Sequence, residues 1–201
     1  MLQSEKRYLR EEQILTTLNN LGFATRKQIQ VIENLGSDRN AARILKRMEN
    51  EKSIQSFRRE FKVYSLTHHG KELIGSSKDL KTGASDRLVD HTLMRNDLYI
   101  KLGMPIDWRT EKELLYNKQQ DRIVVDAMYS RNGEWHFVEV DNKQTMKNNR
   151  EKLKKYAIFK KDIFRDYGHH PTVIWYTVSE NRKQRLEEWM REYGIKGKVY
   201  V

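Results

Sequence analysis

The sequence predicts an α+β protein in two parts: an N-terminal set of helices closed by a β-hairpin, and a C-terminal α/β part built on a mixed sheet. Three observations predict it. In the first third, apolar residues recur at helical spacing and then give way to two short strand-like runs around Arg58-Arg59-Glu60. A polar, small-residue stretch from Ser76 to Ser85 interrupts the pattern. Beyond it, helical and strand-like runs alternate around the segment from Asp121 to Tyr156. The expected parts are residues 1–75, a linker at 76–85, and residues 86–201.

From Arg7 to Leu21 the residues Ile14, Leu15, Leu18 and Leu21 form one apolar face, and Gly22 ends the helix. Thr25 is placed to cap a short helix through Ile32. After the turn at Asn34-Leu35-Gly36-Ser37, Asp38 is the expected cap of a third helix through Met48. Ala41, Ala42, Ile44, Leu45 and Met48 are its packing residues, with Arg39, Asn40, Arg43 and Arg47 outside. Ser53–Phe57 and Phe61–Leu66 read as strands, and Thr67–Ile74 as a closing helix. His68 and His69 are adjacent, which suits a surface turn and gives no metal spacing.

Residues 39, 43 and 47 are four apart and share a helical stripe. Arginine can pair bidentately with guanine and asparagine with adenine, while lysines such as Lys46 hold phosphates. Followed by a hairpin with a basic tip, this order resembles a winged helix-turn-helix over residues 7–75, as does the phrase Tyr64-Ser65-Leu66-Thr67 ahead of Gly70. The resemblance implies contacts to double-stranded DNA from Arg39, Asn40, Arg43, Lys46, Arg47, Arg58 and Arg59, and a homodimer that reads a repeated site. The alternatives are a solvated basic face or a protein-interaction module.

In the second part, Asp86–Leu102 reads as a helix, Trp108–Tyr116 as a strand, and Asp121 onward as a hairpin turning at Arg131-Asn132-Gly133. A long basic helix from Met146 to Asp166 follows, then an apolar strand Thr172–Val178, a helix Glu180–Tyr193 and a short strand Lys198–Val201. The basic helix carries Lys147, Arg150, Lys152, Lys154, Lys155, Lys160 and Lys161. Lys154 and Lys155 can hold phosphates, and Tyr156, Phe159 and Phe164 are expected to pack on the sheet. His169-His170-Pro171 reads as a loop.

The chemistry-bearing residues sit on the strands. Glu139 and Asp141 are two apart and share a face, and a carboxylate inside an apolar sheet requires a metal ion or a cationic partner. The order α-β-β-β-α-β-α, with Asp126 on the second strand and Glu139-Val140-Asp141 on the third, resembles the PD-(D/E)XK nuclease core. More narrowly, the chain resembles the replication-relaxation proteins of plasmids and mobile elements. The resemblance rests on His91, Asp126-Ala127, Phe137-Val138-Glu139-Val140-Asp141, and Lys152 with Tyr156. It implies DNA binding in plasmid replication, transfer or copy control, and transcription control is the winged helix's contribution to the same list. The nuclease resemblance implies magnesium held by Asp126, Glu139 and Asp141, with Glu111 or Glu113 as a further acid.

Two departures stand out: Val125 replaces the proline before the first acid, and Asp141 replaces the motif lysine that supports the attacking water. Lys143 or Lys152 can restore the cation, giving a magnesium-dependent endonuclease. Alternatively, Lys152 pairs with Glu139 or Asp141 as a structural ion pair in a catalytically silent domain.

Composition narrows the classes. The 201 residues carry a formal charge of +11, with +6 in residues 1–85 and +5 in the remainder, so both parts suit a polyanionic partner. Without cysteine there are no disulfides or thiolate metal sites. The N-terminus is charged, and no apolar run approaches the roughly 18 residues of a membrane span, so a cytoplasmic protein is expected. No glycine-rich phosphate loop supports ATP-driven activity.

Overall fold

The computed structural model describes residues 3–78, 85–142 and 144–201, so most of the expected linker and Lys143 lie outside the described residues. The chain divides into two compact units, one ending at Lys101 and one beginning at Leu102.

The first unit runs α1 (Gln3–Leu21), β1 (Ala24–Thr25), α2 (Arg26–Ile32), α3 (Asp38–Asn50), β2 (Ile54–Arg58), β3 (Lys62–Leu66), α4 (His68–Leu73) and α5 (Asp86–Lys101). Its strands form an antiparallel sheet in the order β1-β3-β2. Thr25 caps α2 in a reciprocal capping box with Gln28. Ser37 caps α3, where the sequence pointed to Asp38. The serine hydroxyl accepts from Asn40 N, while Asp38 occupies the first helical position and pairs with Arg26 at 2.9 Å. Ala41, Ile44, Leu45 and Met48 of α3 bury against Ile14, Leu15 and Leu18 of α1 and Tyr64 and Leu66 of β3. Ala42, expected in that packing, faces solvent.

Thr67 caps α4, so His68 and His69 open a helix rather than a turn; both are exposed. Gly70 brings α4 against the chain entering β2, where a Cβ would stand 1.9 Å from the Ser53 carbonyl oxygen. Only glycine fits that approach.

The helix expected to open the second part, α5, packs in the first unit. Val89 and Leu93 join Phe23 and Val63 in a small apolar cluster. Polar bonds do the rest: Arg95 Nη2 donates to Leu21 O at 2.9 Å, Asn96 Nδ2 to Phe23 O at 2.6 Å, and Gln28 Nε2 to Leu93 O at 2.9 Å.

The second unit runs β4 (Arg109–Tyr116), β5 (Asp121–Arg131), β6 (Glu134–Asp141), α6 (Met146–Tyr167), β7 (Thr172–Thr177), α7 (Glu180–Glu192) and β8 (Gly197–Tyr200). Its sheet has the order β4-β5-β6-β7-β8. The first three strands form an antiparallel meander, and β6, β7 and β8 run parallel, so the sheet is mixed. Asn132 and Gly133, at φ 54° and 79°, make the two-residue turn between β5 and β6. Leu153, Tyr156 and Phe159 of α6 and Leu186 and Met190 of α7 cover Val125, Phe137, Trp175 and Val199 of the sheet. Phe164 does not pack there; it is exposed and stacks on His170 at 4.7 Å. Among the described residues, no helix is long and apolar enough to cross a membrane. The chain is α+β, with a helical first unit and a mixed sheet in the second.

Candidate functional site

In the first unit, α3 turns Arg39, Ala42, Arg43 and Lys46 outward. At about 100° per residue, Lys46 lies roughly 20° from Arg39 around the helix and Arg43 roughly 40°, whereas Arg47 is rotated by roughly 80°. Arg47 therefore turns toward α1, where its Nε donates to Glu11 Oε1 at 2.9 Å and its Nη2 meets the same carboxylate. Its side chain is 26% exposed. Asn40 is also committed, with Nδ2 donating to Leu35 O at 2.8 Å and Oδ1 accepting from Arg43 at 2.8 Å.

On the hairpin, Arg58 is exposed. Arg59 is 23% exposed and bound to Asp90 at 2.6 Å and Asp86 at 3.3 Å, so it ties the hairpin to α5. Of the seven residues expected to meet DNA, Arg39, Arg43, Lys46 and Arg58 face outward, Arg43 with an exposed bond to Asn40 at 2.8 Å and Lys46 with an ion pair to Glu49 at 3.6 Å, whereas Asn40, Arg47 and Arg59 are held by structural partners. Between α2, α3 and the hairpin lies a concave surface lined by Arg26, Lys27, Lys46, Lys62, Phe61 and Tyr64.

In the second unit, the β5–β6 ladder ends at Ala127 and Val138. The next positions are Asp126 and Glu139. Asp126 Oδ2 accepts from Val140 N at 2.7 Å, so a side chain takes the bond that a main-chain carbonyl would have taken. Glu139 is 1% exposed, and α6 supplies both its partners: the Lys152 ammonium meets Oε2 and the Tyr156 hydroxyl donates to Oε1. These two lie one helical turn apart on α6 and reach the carboxylate together.

Burial pushes Glu139 up to about 8, against the pull of the Lys152 ammonium and with a further push from Asp126. Burial pulls Lys152 down, yet the Glu139 and Asp126 carboxylates outweigh it and hold its pKa above the ordinary lysine value. The two shifts oppose each other, because a protonated Glu139 offers Lys152 less. Loss of water around a fully buried carboxylate is the larger effect, so Glu139 is the group that gives way. Tyr156 is raised by its burial and by the Glu139 charge.

Asp141, although on the strand next to Glu139 in alternation, belongs to a different set of bonds. Arg182 Nη2 and Nε bind its two oxygens at 2.6 and 2.7 Å, and Thr177 Oγ1 donates at 2.8 Å. Burial raises Asp141, but hydrogen bonds from Arg182, Asn149 and Thr177 outweigh it and hold the carboxyl below its ordinary value. Glu113 is exposed and paired with Arg122 at 3.3 Å, and Glu111 is exposed as well, so neither strand acid is buried with Glu139. His91 is half-buried on α5.

These bonds do not fit a magnesium ion. A hard cation needs free carboxylate oxygens, and both oxygens of Glu139 and both of Asp141 are already taken by the chain's own donors. Among the described residues, no group of three or more His, Asp or Glu side chains is placed to hold a metal ion. The sequence reading did not single out Arg182 or Thr177, which reach Asp141 only because β7 pairs with β6 and α7 follows β7.

No curated protein matches the chain. Among solved structures it is similar to the crystal structure of protein VC1899 from Vibrio cholerae, at 11% identity and a TM-score of 0.35. That match covers 96% of this chain and 48% of the other, so the chain spans about half the length of that protein. The family model described as replication-relaxation matches residues 15–173, and the chain belongs to the replication-relaxation family.

Proposed function

We propose that this replication-related protein binds double-stranded DNA through α3 and the β2–β3 hairpin, acting in the cytoplasm on the replication, transfer or transcription of a plasmid, phage or other mobile element. The observation that carries the reading is the outward stripe of Arg39, Arg43 and Lys46 beside the exposed Arg58. A helix presenting such a stripe suits a major groove, and a basic hairpin tip suits the adjoining backbone. Its second unit is nuclease-like in element order and non-hydrolytic in chemistry, because Lys152 and Tyr156 occupy the Glu139 oxygens and Arg182 and Thr177 those of Asp141.

The test is selection of duplexes from a randomised pool, followed by titration of the selected duplex. Arg43→Ala with Lys46→Ala is expected to weaken binding at least about tenfold and to lower the log–log salt slope by about 1.8, two phosphate-scale contacts' worth. Glu139→Gln is expected to leave affinity unchanged, and millimolar magnesium to produce no cleavage. Selection that returns no enriched duplex, or a double variant that binds like wild type, would remove the proposal.

A further inference from the structure

A second basic surface lies wholly within the second unit, in the cleft between the N-terminal half of α6 and the length of α7 from Asn181 to Trp189. Lys147, Arg150 and Lys154 make one rail along α6, spaced so that all three share a face. Arg182, Arg185 and Trp189 make the facing rail along α7. The Arg150 and Arg185 guanidinium carbons stand 5.4 and 5.8 Å from the Trp189 ring centre, so the indole lies among cations. Because α6 follows β6 and α7 follows the parallel β7, the cleft opens at the carboxyl ends of these strands, where both helix N-termini add partial positive charge.

Not every cation here is free. Arg182 is held by Asp141, Lys154 pairs with Glu151 at 2.7 Å, and Arg150 pairs with Glu192 at 3.1 Å. The last two pairs are exposed and exchange readily for a phosphate. Lys147 and Arg185 are exposed and in no ion pair among the described residues.

We propose that this cleft binds single-stranded nucleic acid, its phosphodiester backbone lying along the two rails and an unpaired base resting against Trp189. Cations set along a groove match a chain of phosphates rather than one carboxylate, and the half-buried indole, once Arg150 or Arg185 turns from its ring to a phosphate, offers a face that any base can stack on. A duplex keeps its bases stacked inside and cannot use that face. The proposal does not rest on duplex binding by α3, since every residue it uses lies in the second unit.

The experiment is fluorescence anisotropy of the full chain with a labelled oligothymidylate, alongside the duplex chosen for α3. Lys147→Ala with Arg185→Ala is expected to weaken oligothymidylate binding about tenfold and to lower its salt slope by about 1.4, while duplex affinity is retained. Trp189→Ala is expected to weaken the single strand and Trp189→Phe to keep it; Arg43→Ala with Lys46→Ala should leave it untouched. Three results overturn the proposal: unchanged oligothymidylate affinity in the Lys147/Arg185 variant, equal losses on single strand and duplex, or complete displacement by millimolar inorganic phosphate, which would mark a simple anion site. The Lys147/Arg185 variant decides the matter even if Trp189→Ala fails to fold, because both its residues are exposed.

Discussion

Glu139 carries the clearest pH signature in the molecule. Its folded value, about 8, stands above its ordinary 4.5, so the folded chain keeps a proton that the unfolded chain releases between them. The Glu139 contribution to stability is therefore complete below about pH 4.5 and is lost as pH rises toward 8, by an amount on the order of a few kcal/mol for a carboxyl this buried. Urea midpoints measured at several pH values between about 5 and 8 are expected to fall less steeply in Glu139→Gln than in wild type; parallel curves would show that Glu139 does not titrate in this window. The pairing itself is legible in the sequence, since an acid inside an apolar strand demands a cation and Lys152 is on the next helix. Arg182 is not legible in the same way: it lies 41 positions from Asp141, and only the β6–β7 pairing brings the two together. The α3 stripe shows a subtler limit, in that a spacing of four drifts around the helix and exchanges Lys46 for Arg47 on the outer face.

At the scale of elements, caps and turns are the best-written features. Thr25 and the Asn132-Gly133 turn each stand where the sequence places them, because a hydroxyl at a helix start and a residue pair able to adopt positive φ are local requirements. Gly70 is legible as a motif, but its reason is tertiary: α4 lies on the Ser53 carbonyl. Gly70→Ala is expected to cost about 2 kcal/mol through that overlap, read as a lower urea midpoint. An unchanged midpoint would mean that α4 shifts freely away from β2. The assignment of α5 was hidden for a different reason. Periodicity registers apolar faces, whereas α5 is docked largely by Arg95 and Asn96, both buried and both bonded to main-chain carbonyls of the first unit.

For the whole molecule, composition marks a division at 76–85 and compactness places one after Lys101. The α+β class, the mixed sheet and the family are legible along the full length, because they depend on element order rather than on any single contact. A single α3 with its hairpin would read few base pairs, so two copies on a repeated site are the proposed working form. Sedimentation equilibrium with a duplex carrying two half-sites is expected to give two chains per duplex; one chain per duplex across the titration would refute the dimer.

Asp126 joins two jobs that are usually kept apart. The same carboxylate fastens the open end of the β5–β6 pair at Val140 and contributes negative charge beside Lys152. The joint is therefore mechanical and electrical at once: a change that neutralises the side chain also loosens the strands, and a change that parts the strands also takes one of two carboxylates away from the Lys152 ammonium.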